Sequence, residues 1–241
     1  RKAHKLEYRL RDTQTALGAL PADPDLFPIG LWLQEYLLKG AFCYEPQWPA
    51  MRKAAIVRDK DIFKADGSSL PWQVLALQES DPEDLEDWIA QVNMALPSIK
   101  AVEAQCSEND GSCYLNVTYT NGMVVPSAGL SHGTLHILAL TILPYLEKPP
   151  AVLTLEEPEN GIYPKAIDSV LDALRLVEDT QLWLSTHSPV VLANTELEQI
   201  IAMRLGADGE TEVVKGPEHP KLKDWKGTVD LGSLFAAGVL E

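Results

Sequence analysis

A short apolar run that ends in two acidic residues constrains this chain more than any other stretch. The run AVLTL spans residues 151–155, and Glu156, Glu157 and Pro158 follow it directly. It is too short and too uniformly apolar for an amphipathic helix, and it is typical of a strand buried on both faces of a parallel sheet. Proline ends such a strand because it has no N–H donor. We therefore expect both carboxylates at the carboxyl end of an inner strand.

The segments around this strand alternate between helical and strand patterns. Helices are predicted at about 131–143 and 165–177, and further strands at 181–186 and 199–204. This order predicts an α/β fold with a mainly parallel sheet flanked by helices, because helices usually supply the crossovers between parallel strands. Sheets of this kind bind ligands at the carboxyl ends of their strands.

The first part of the chain follows a different pattern. Residues 6–10 alternate like a half-buried strand, and residues 26–40 have a helical apolar spacing that ends at a glycine. A second helix is predicted from Asp81, a plausible N-cap, and Pro82, until Pro97 stops it. Its apolar stripe consists of Leu85, Trp88, Ile89, Val92 and Leu96.

A β-hairpin is predicted before the α/β alternation begins. The stretches KAVEAQCS and SCYLNVTYT alternate in polarity, and the Asp110-Gly111 pair between them tolerates the positive φ of a tight turn. We therefore expect two units. Residues 1–128 form an α+β lobe with the hairpin, and residues 129–241 form the α/β core.

Charge argues against broad nucleic-acid binding by this chain. The formal net charge is −15, and a surface of that sign repels phosphate backbones. A basic cluster occurs at the start of the sequence, and it is more typical of the solvated face of a strand than of a DNA-binding patch. Its members are Arg1, Lys2, Lys5, Arg9 and Arg11.

Neither a membrane segment nor a disulfide framework is expected from the sequence. Apolar runs stay short of the roughly 18 residues that a membrane span needs, and the N-terminus has no apolar core of a signal peptide. We therefore expect a cytoplasmic protein. Cys43, Cys106 and Cys113 lack the paired spacing of zinc sites, and we expect them to be reduced and partly buried.

The stretch GLSHGTLHILAL begins an apolar helix at Ser131 and Gly133. Backbone N–H groups at a helix N-terminus have no partner within the helix, and together with the helix dipole they attract anions. Serine is also an ordinary N-cap residue, so this stretch has a purely structural alternative.

The acid pair has a chemical interpretation of its own. Two adjacent carboxylates need a cation, a shared proton or hydrogen bonds, because like charges in contact disfavour joint ionisation. Mg²⁺ with a nucleotide phosphate would meet this need. One carboxylate would support the metal shell, and the other would orient or deprotonate water. A solvated strand end is the alternative.

The stretch QLWLSTHSP predicts a second strand that delivers Ser185, Thr186 and His187 to the same edge of the sheet. A single histidine is usually structural. On a strand tip parallel to Glu157, however, His187 has the position to hydrogen-bond a terminal phosphate oxygen or the attacking water.

The order of these stretches, LSHGT, then LTLEEPENGIYP, then LSTHSP, resembles the C-terminal half of an ABC-type ATPase head. The resemblance is to the branch that contains SMC, RecF and OLD-like AAA-family ATPases, and it implies a P-loop NTPase-like fold. In that branch LSxG is the signature motif, and the strand with its acid pair is Walker B. The D-loop follows Walker B, and the histidine is the switch histidine.

The resemblance implies a role for each matching residue. Ser131 and Gly133 would contact the γ-phosphate of ATP held by the opposite protomer. Glu156 would support Mg²⁺, and Glu157 would be the general base. The D-loop positions and the switch histidine would be Asn160, Gly161 and His187.

The resemblance also implies a function. It is an ATP-binding and ATP-hydrolysing switch that forms a homodimer or higher oligomer of heads and acts in a DNA-related or antiphage process. An effector protein of the nuclease or TOPRIM type would be its partner, and any DNA contact would avoid the acidic surface. A nucleotide-gated scaffold with little turnover is the alternative. A two-metal nuclease would need more ligands than Glu159 and His187 beside Glu156.

The sequence departs from the family pattern in two respects. No G-x-x-x-x-G-K-[ST] loop occurs, so we expect ATP binding to need a Walker A segment from outside these residues, unless the ATPase is degenerate. Tyr163 also replaces a frequent histidine, and His132 and His136 replace a frequent aspartate and arginine.

Overall fold

The computed structural model describes residues 11–57, 62–206, 208–222, 225, 227 and 229–239. The predicted strand at residues 6–10 lies outside the described residues, as does most of the basic cluster. The helices are α1 (Pro28–Glu35), α2 (Trp48–Met51), α3 (Leu70–Ser80), α4 (Pro82–Ala95), α5 (His132–Thr141), α6 (Pro164–Arg175), α7 (Pro189–Ala193) and α8 (Leu231–Ala236). The strands are β1 (Ala41–Tyr44), β2 (Ile99–Cys106), β3 (Cys113–Tyr119), β4 (Val124–Pro126), β5 (Val152–Glu156), β6 (Gln181–Ser185), β7 (Ile201–Leu205) and β8 (Thr211–Lys215).

A parallel three-stranded sheet with the order β1-β5-β6 carries the acid pair. The predicted inner strand is confirmed, because β5 lies between β1 and β6. Leu153 and Leu155 of β5 are buried, whereas Val152 and Thr154 on the opposite face are only half-buried. The expectation of full burial on both faces is therefore wrong for the described residues, whereas the predicted α/β fold with a parallel sheet flanked by helices is confirmed.

The predicted hairpin is also confirmed, and it belongs to a separate antiparallel sheet with the order β2-β3-β4. Gly111 in its turn has a φ of +67°, a conformation that glycine adopts without strain. After β4, a single 3₁₀ turn at Ser127–Gly129 leads directly to the N-terminus of α5. The hairpin sheet therefore ends where the predicted signature helix begins.

The last predicted strand, at 199–204, does not join the parallel sheet. It is β7, and it pairs antiparallel with β8 in a two-stranded sheet. The turn at Asp208-Gly209 joins these strands too tightly for a crossover helix, so the pair can only be antiparallel. The expected parallel continuation after β6 is therefore wrong.

Helix α5 lies at the centre of the main core, since all residues from Thr134 to Thr141 are buried. Trp88 of α4 is fully buried and donates its indole N–H to Thr141 Oγ1 at 3.0 Å. Tyr44 at the end of β1 donates its hydroxyl to the carbonyl oxygen of Ala139 at 3.2 Å. One apolar cluster thus contains residues from both predicted units, whose boundary at residue 128 stays a prediction.

Within the described ranges, every helix is too short or too polar to cross a bilayer.

Candidate functional site

The carboxyl ends of β5 and β6 lie side by side and bring the second glutamate close to the histidine. Glu156 is in register with Ser185, and the Glu157 N–H donates to the Ser185 carbonyl oxygen at 2.9 Å. Parallel pairing therefore extends one residue beyond β5. Beyond it, His187 Nε2 lies 3.9 Å from Glu157 Oε1. Glu156 is exposed at the strand tip.

Glu157 has a strained backbone that its neighbours stabilise. Its φ of +41° lies in the left-handed region, where non-glycine residues cost about 1–3 kcal/mol and cluster at functional sites. The Asn160 N–H donates to the Glu157 carbonyl oxygen at 2.9 Å, and Asn160 Nδ2 donates to Glu157 Oε2 at 2.5 Å. The tight turn thereby holds the carboxylate at the sheet edge, and Asn160 is part of the same site.

A second side-chain contact joins the loops that follow β5 and β6, and it was not predicted from the sequence. Thr186 Oγ1 donates to Glu159 Oε1 at 2.5 Å, and the Ser188 N–H donates to Thr186 Oγ1 at 2.9 Å. The other carboxylate oxygen, Glu159 Oε2, is buried and has no hydrogen-bond partner among the described residues. The sequence shows a hydroxyl and a carboxylate after neighbouring strand tips, but the pairing of these two side chains depends on the turns that follow the strands.

Ser131 and Gly133 stand at the N-terminus of α5, but their observed contacts are within the chain. Ser131 Oγ accepts the Thr134 N–H at 3.0 Å, which is the N-cap role that the sequence left open. A Cβ on Gly133 would come within 2.8 Å of the Gly161 carbonyl oxygen, so only glycine allows this close approach. The N-terminus of α5 and the loop at Gly161 are therefore packed backbone against backbone.

Two histidines reinforce this packing at the positions where the sequence departs from the family pattern. His136 Nδ1 lies 2.9 Å from the Asn160 carbonyl oxygen, which fits an Nδ1–H donor. The His132 ring stacks on the His136 ring with centroids 5.7 Å apart, and a Cβ on Gly161 would come within 3.1 Å of the His132 ring. Burial lowers the pKa of His136 and keeps its imidazole neutral.

Three side chains beside Ser131 were not predicted from the sequence. They are Arg52, Trp48 and His132, whose charged group and rings lie next to one another. The Arg52 guanidinium lies 4.7 Å from the centroid of the Trp48 ring, and Arg52 donates to the Leu130 carbonyl oxygen at 2.7 Å. The Trp48 ring lies 6.0 Å from the His132 ring. A tryptophan and an arginine four residues apart on one helix are the available signal.

The carboxylate of Glu156 at the carboxyl end of β5 suits Mg²⁺ binding through a single protein ligand. Mg²⁺ usually binds one or two carboxylates and completes its shell with water and substrate phosphates. Glu156 presents an exposed carboxylate of this kind. In the part of the chain that the structure describes, no group of three or more His, Cys, Asp or Glu side chains is placed to hold a metal. Glu156 therefore has the donor type that a largely hydrated Mg²⁺ uses.

The burial of His136 predicts a pH-dependent stability. Its pKa is lowered in the folded state, so below about pH 6.5 the unfolded chain binds a proton that the folded chain rejects. Stability should be complete above that pH and should fall as the pH decreases towards the folded pKa. The His136→Asn variant keeps a donor but cannot titrate, so the loss of stability between pH 7.5 and 5.5 should shrink, by at most about 1.4 kcal/mol for one proton over the pH unit below 6.5. Urea unfolding at both pH values measures this.

The matched control is His132→Asn, which changes the exposed ring of the stacked pair. We expect it to leave most of the pH dependence in place. The pKa of His219 is also lowered by burial, so that residue contributes to the slope that remains in His136→Asn. An unchanged slope in His136→Asn would contradict the assignment.

Comparisons with known proteins agree with this architecture. The profile of a family described as "AAA domain, putative AbiEii toxin, Type IV TA system" matches residues 3–193. Among solved structures, an SMC head bound to the C-winged helix domain of ScpA is 14% identical with a TM-score of 0.50, and the match covers 69% of this chain and 52% of that chain. At this identity the likeness shows the fold, which is that of an ATPase head.

Two archaeal SMC heads are also similar. The head domain from Pyrococcus furiosus with an extended coiled coil is 16% identical with a TM-score of 0.46, and the match covers 59% of this chain and 36% of that one. The head domain from Pyrococcus yayanosii is 17% identical with a TM-score of 0.45, and the match covers 54% of this chain and 26% of that one. The chain thus spans about a quarter to a half of these three solved chains. A comparison with curated proteins gave no match.

Proposed function

The chain belongs to the AAA-domain family whose profile matches its residues 3–193, and from this premise we propose that it is part of an ATP-driven molecular switch. The family and the fold support a nucleotide-binding ATPase core. The observation that carries the proposal is the meeting of Glu157 and His187 at the carboxyl ends of adjacent parallel strands, where α/β sheets bind ligands.

In this proposal ATP is the substrate and Glu157 is the general base. Glu157 accepts a proton from the attacking water, and its turn orients the carboxylate through the Asn160 bond. His187 contacts the terminal phosphate. Glu156 supports Mg²⁺ through its shell, and Mg²⁺ supplies charge neutralisation of the phosphates when bound.

The signature helix acts across a dimer in this proposal. Ser131, Gly133 and the first N–H groups of α5 face the γ-phosphate held by a second head, because helix N-termini favour anions. Asn160 and Gly161 form the D-loop, which contacts α5 of the same chain through Gly133 and His136. ATP bound between two heads would thus affect the N-terminus of α5 and the D-loop together.

The cellular role is the broadest part of the proposal. The family description names a toxin–antitoxin system, which supports a role in antiphage defence. We propose an effector of the nuclease or TOPRIM type as partner, with any DNA contact made away from the acidic surface. The net charge of −15 supports that restriction.

One observation favours a second candidate, a nucleotide-gated scaffold with little turnover. Glu157 Oε2 already accepts a hydrogen bond from Asn160 at 2.5 Å, so one of its oxygens is engaged. The other oxygen, Oε1, lies 3.9 Å from His187 Nε2, and a head in which both oxygens stay engaged would bind and release ATP with little turnover.

The test is steady-state phosphate release by the full-length protein, with and without DNA, together with ATP binding by equilibrium dialysis. Sustained Mg²⁺-dependent turnover would support the ATPase. Binding without turnover would favour the scaffold, and the absence of both would contradict the proposal.

A further inference from the structure

Two of the three cysteines are direct cross-strand partners. Cys106 ends β2 and Cys113 begins β3, and the two residues are opposite each other in the antiparallel register. Cys106 is exposed and Cys113 is buried. Directly opposed residues of an antiparallel pair have their side chains on the same face of the sheet, so both thiols lie on one face.

The backbone hydrogen bonds of Cys113 show which kind of antiparallel pair it forms with Cys106. It is a non-hydrogen-bonded pair, in which the N–H and C=O groups of the two residues do not bond to each other. The Cys113 N–H donates to the Ala55 carbonyl oxygen at 2.8 Å, and the Ala55 N–H donates to the Cys113 carbonyl oxygen at 2.7 Å. The backbone of Cys113 therefore bonds away from β2. Non-hydrogen-bonded partners have Cα atoms about 4.5 Å apart, which lies within the range that a disulfide spans.

The two thiols differ in environment. Cys113 Sγ lies 3.9 Å from the Pro71 carbonyl oxygen inside the core. Burial raises the pKa of the Cys113 thiol to about 12, and the hydrogen bond with the Cys106 thiol is the second-largest cause. Cys113 is therefore a poor first nucleophile, whereas solvent reaches Cys106. An oxidant in solution would meet Cys106 first.

We propose that Cys106 and Cys113 form a redox modification site that closes a reversible intramolecular disulfide with a small disulfide such as glutathione disulfide. The Cys106 thiolate attacks one sulfur of glutathione disulfide, the S–S bond breaks, and one glutathione leaves as a thiolate that takes up a proton. Cys113 then loses its proton and attacks the Cys106 sulfur, releasing the second glutathione. The protein gives up two electrons and two protons, and the oxidant becomes two glutathione thiols.

Cys43 is an internal control for this proposal. It is exposed on β1, in the parallel sheet, and its register partner on β5 is Thr154. It therefore has the exposure of Cys106 without a cysteine across from it. Glutathione should modify Cys43 only as a mixed disulfide.

The test equilibrates the full-length protein with glutathione buffers of increasing oxidised fraction, followed by acid quenching, alkylation and peptide mapping. We expect Cys106 and Cys113 to become protected together, with a peptide mass about 2 Da lower than that of the dithiol. Dithiothreitol should restore both thiols. The Cys43→Ser variant should keep this behaviour, whereas Cys106→Ser should leave Cys113 alkylatable after unfolding at every buffer ratio.

Two outcomes would overturn the proposal. One is a Cys106–glutathione mixed disulfide that persists with a free Cys113 thiol at all ratios. The other is oxidation through bonds between chains, seen as dimers on non-reducing gels. Neither outcome bears on ATP hydrolysis, so this test is independent of the proposed function.

Discussion

Replacing Glu157 with Gln in the full-length protein is expected to lower ATP turnover about 10²–10⁴-fold, the usual contribution of a general base. The amide is nearly isosteric and cannot accept the proton of the attacking water. ATP binding should remain, because no proton transfer is needed to bind the nucleotide. Steady-state phosphate release and equilibrium binding measure the two effects. In sedimentation experiments with ATP, the variant should accumulate as a closed dimer.

The matched control is Glu147→Gln, which makes the same chemical change at an exposed position. The Glu147 side chain is 82% exposed and its carboxylate lies 3.6 Å from Lys148 Nζ, in the connection that precedes β5. Exposed ion pairs contribute little, so turnover should match that of the wild-type protein. If Glu157→Gln also hydrolysed ATP at the wild-type rate, the assignment of the base would be wrong.

Replacing Gly133 with Ala is expected to separate the N-terminus of α5 from the loop at Gly161, which are the proposed signature helix and D-loop. The added methyl group would lie 2.8 Å from the Gly161 carbonyl oxygen, and a backbone atom cannot move aside as a flexible side chain can. Overpacking of this kind costs about 1–3 kcal/mol, which outweighs the gain in helix propensity of about 1 kcal/mol. Chemical denaturation measures the stability. ATP turnover should fall by about 10- to 100-fold, since small displacements at a reacting site are costly.

Gly40→Ala provides the control for this substitution. A Cβ at Gly40 would meet the Ala151 side chain at 3.5 Å, which is an ordinary contact. We expect both its stability and its turnover to stay close to wild type. Wild-type turnover in Gly133→Ala would show that the close approach to Gly161 has no part in catalysis.

Local patterns predicted much of the fold. The apolar stripe of α4, the turn at Gly111 and the acid pair after β5 depend on neighbours within a few residues, and all were placed correctly. The order β1-β5-β6 was not predicted in full. Strand β1 lies more than a hundred residues before β5, and no local pattern reports such a pairing.

Part of the candidate site was also within reach of the sequence. Parallel strand tips meet at one edge, so the placement of His187 near Glu157 followed from strand order alone. The contact between Thr186 and Glu159 did not, because it depends on the turns that follow the two strands.

The sequence by itself determined helix α4, the hairpin strands β2 and β3, the strands β5 and β6, the acid pair at the tip of β5 and the glycine of the hairpin turn, because periodicity, proline and glycine act over a few residues. Tertiary structure alone decided the rest. The tertiary fold packs Gly133 against Gly161, joins His136 to the Asn160 carbonyl oxygen by a hydrogen bond and sets Cys106 opposite Cys113. Those contacts join segments that are brought together only when the core closes, and their distances depend on how the elements pack.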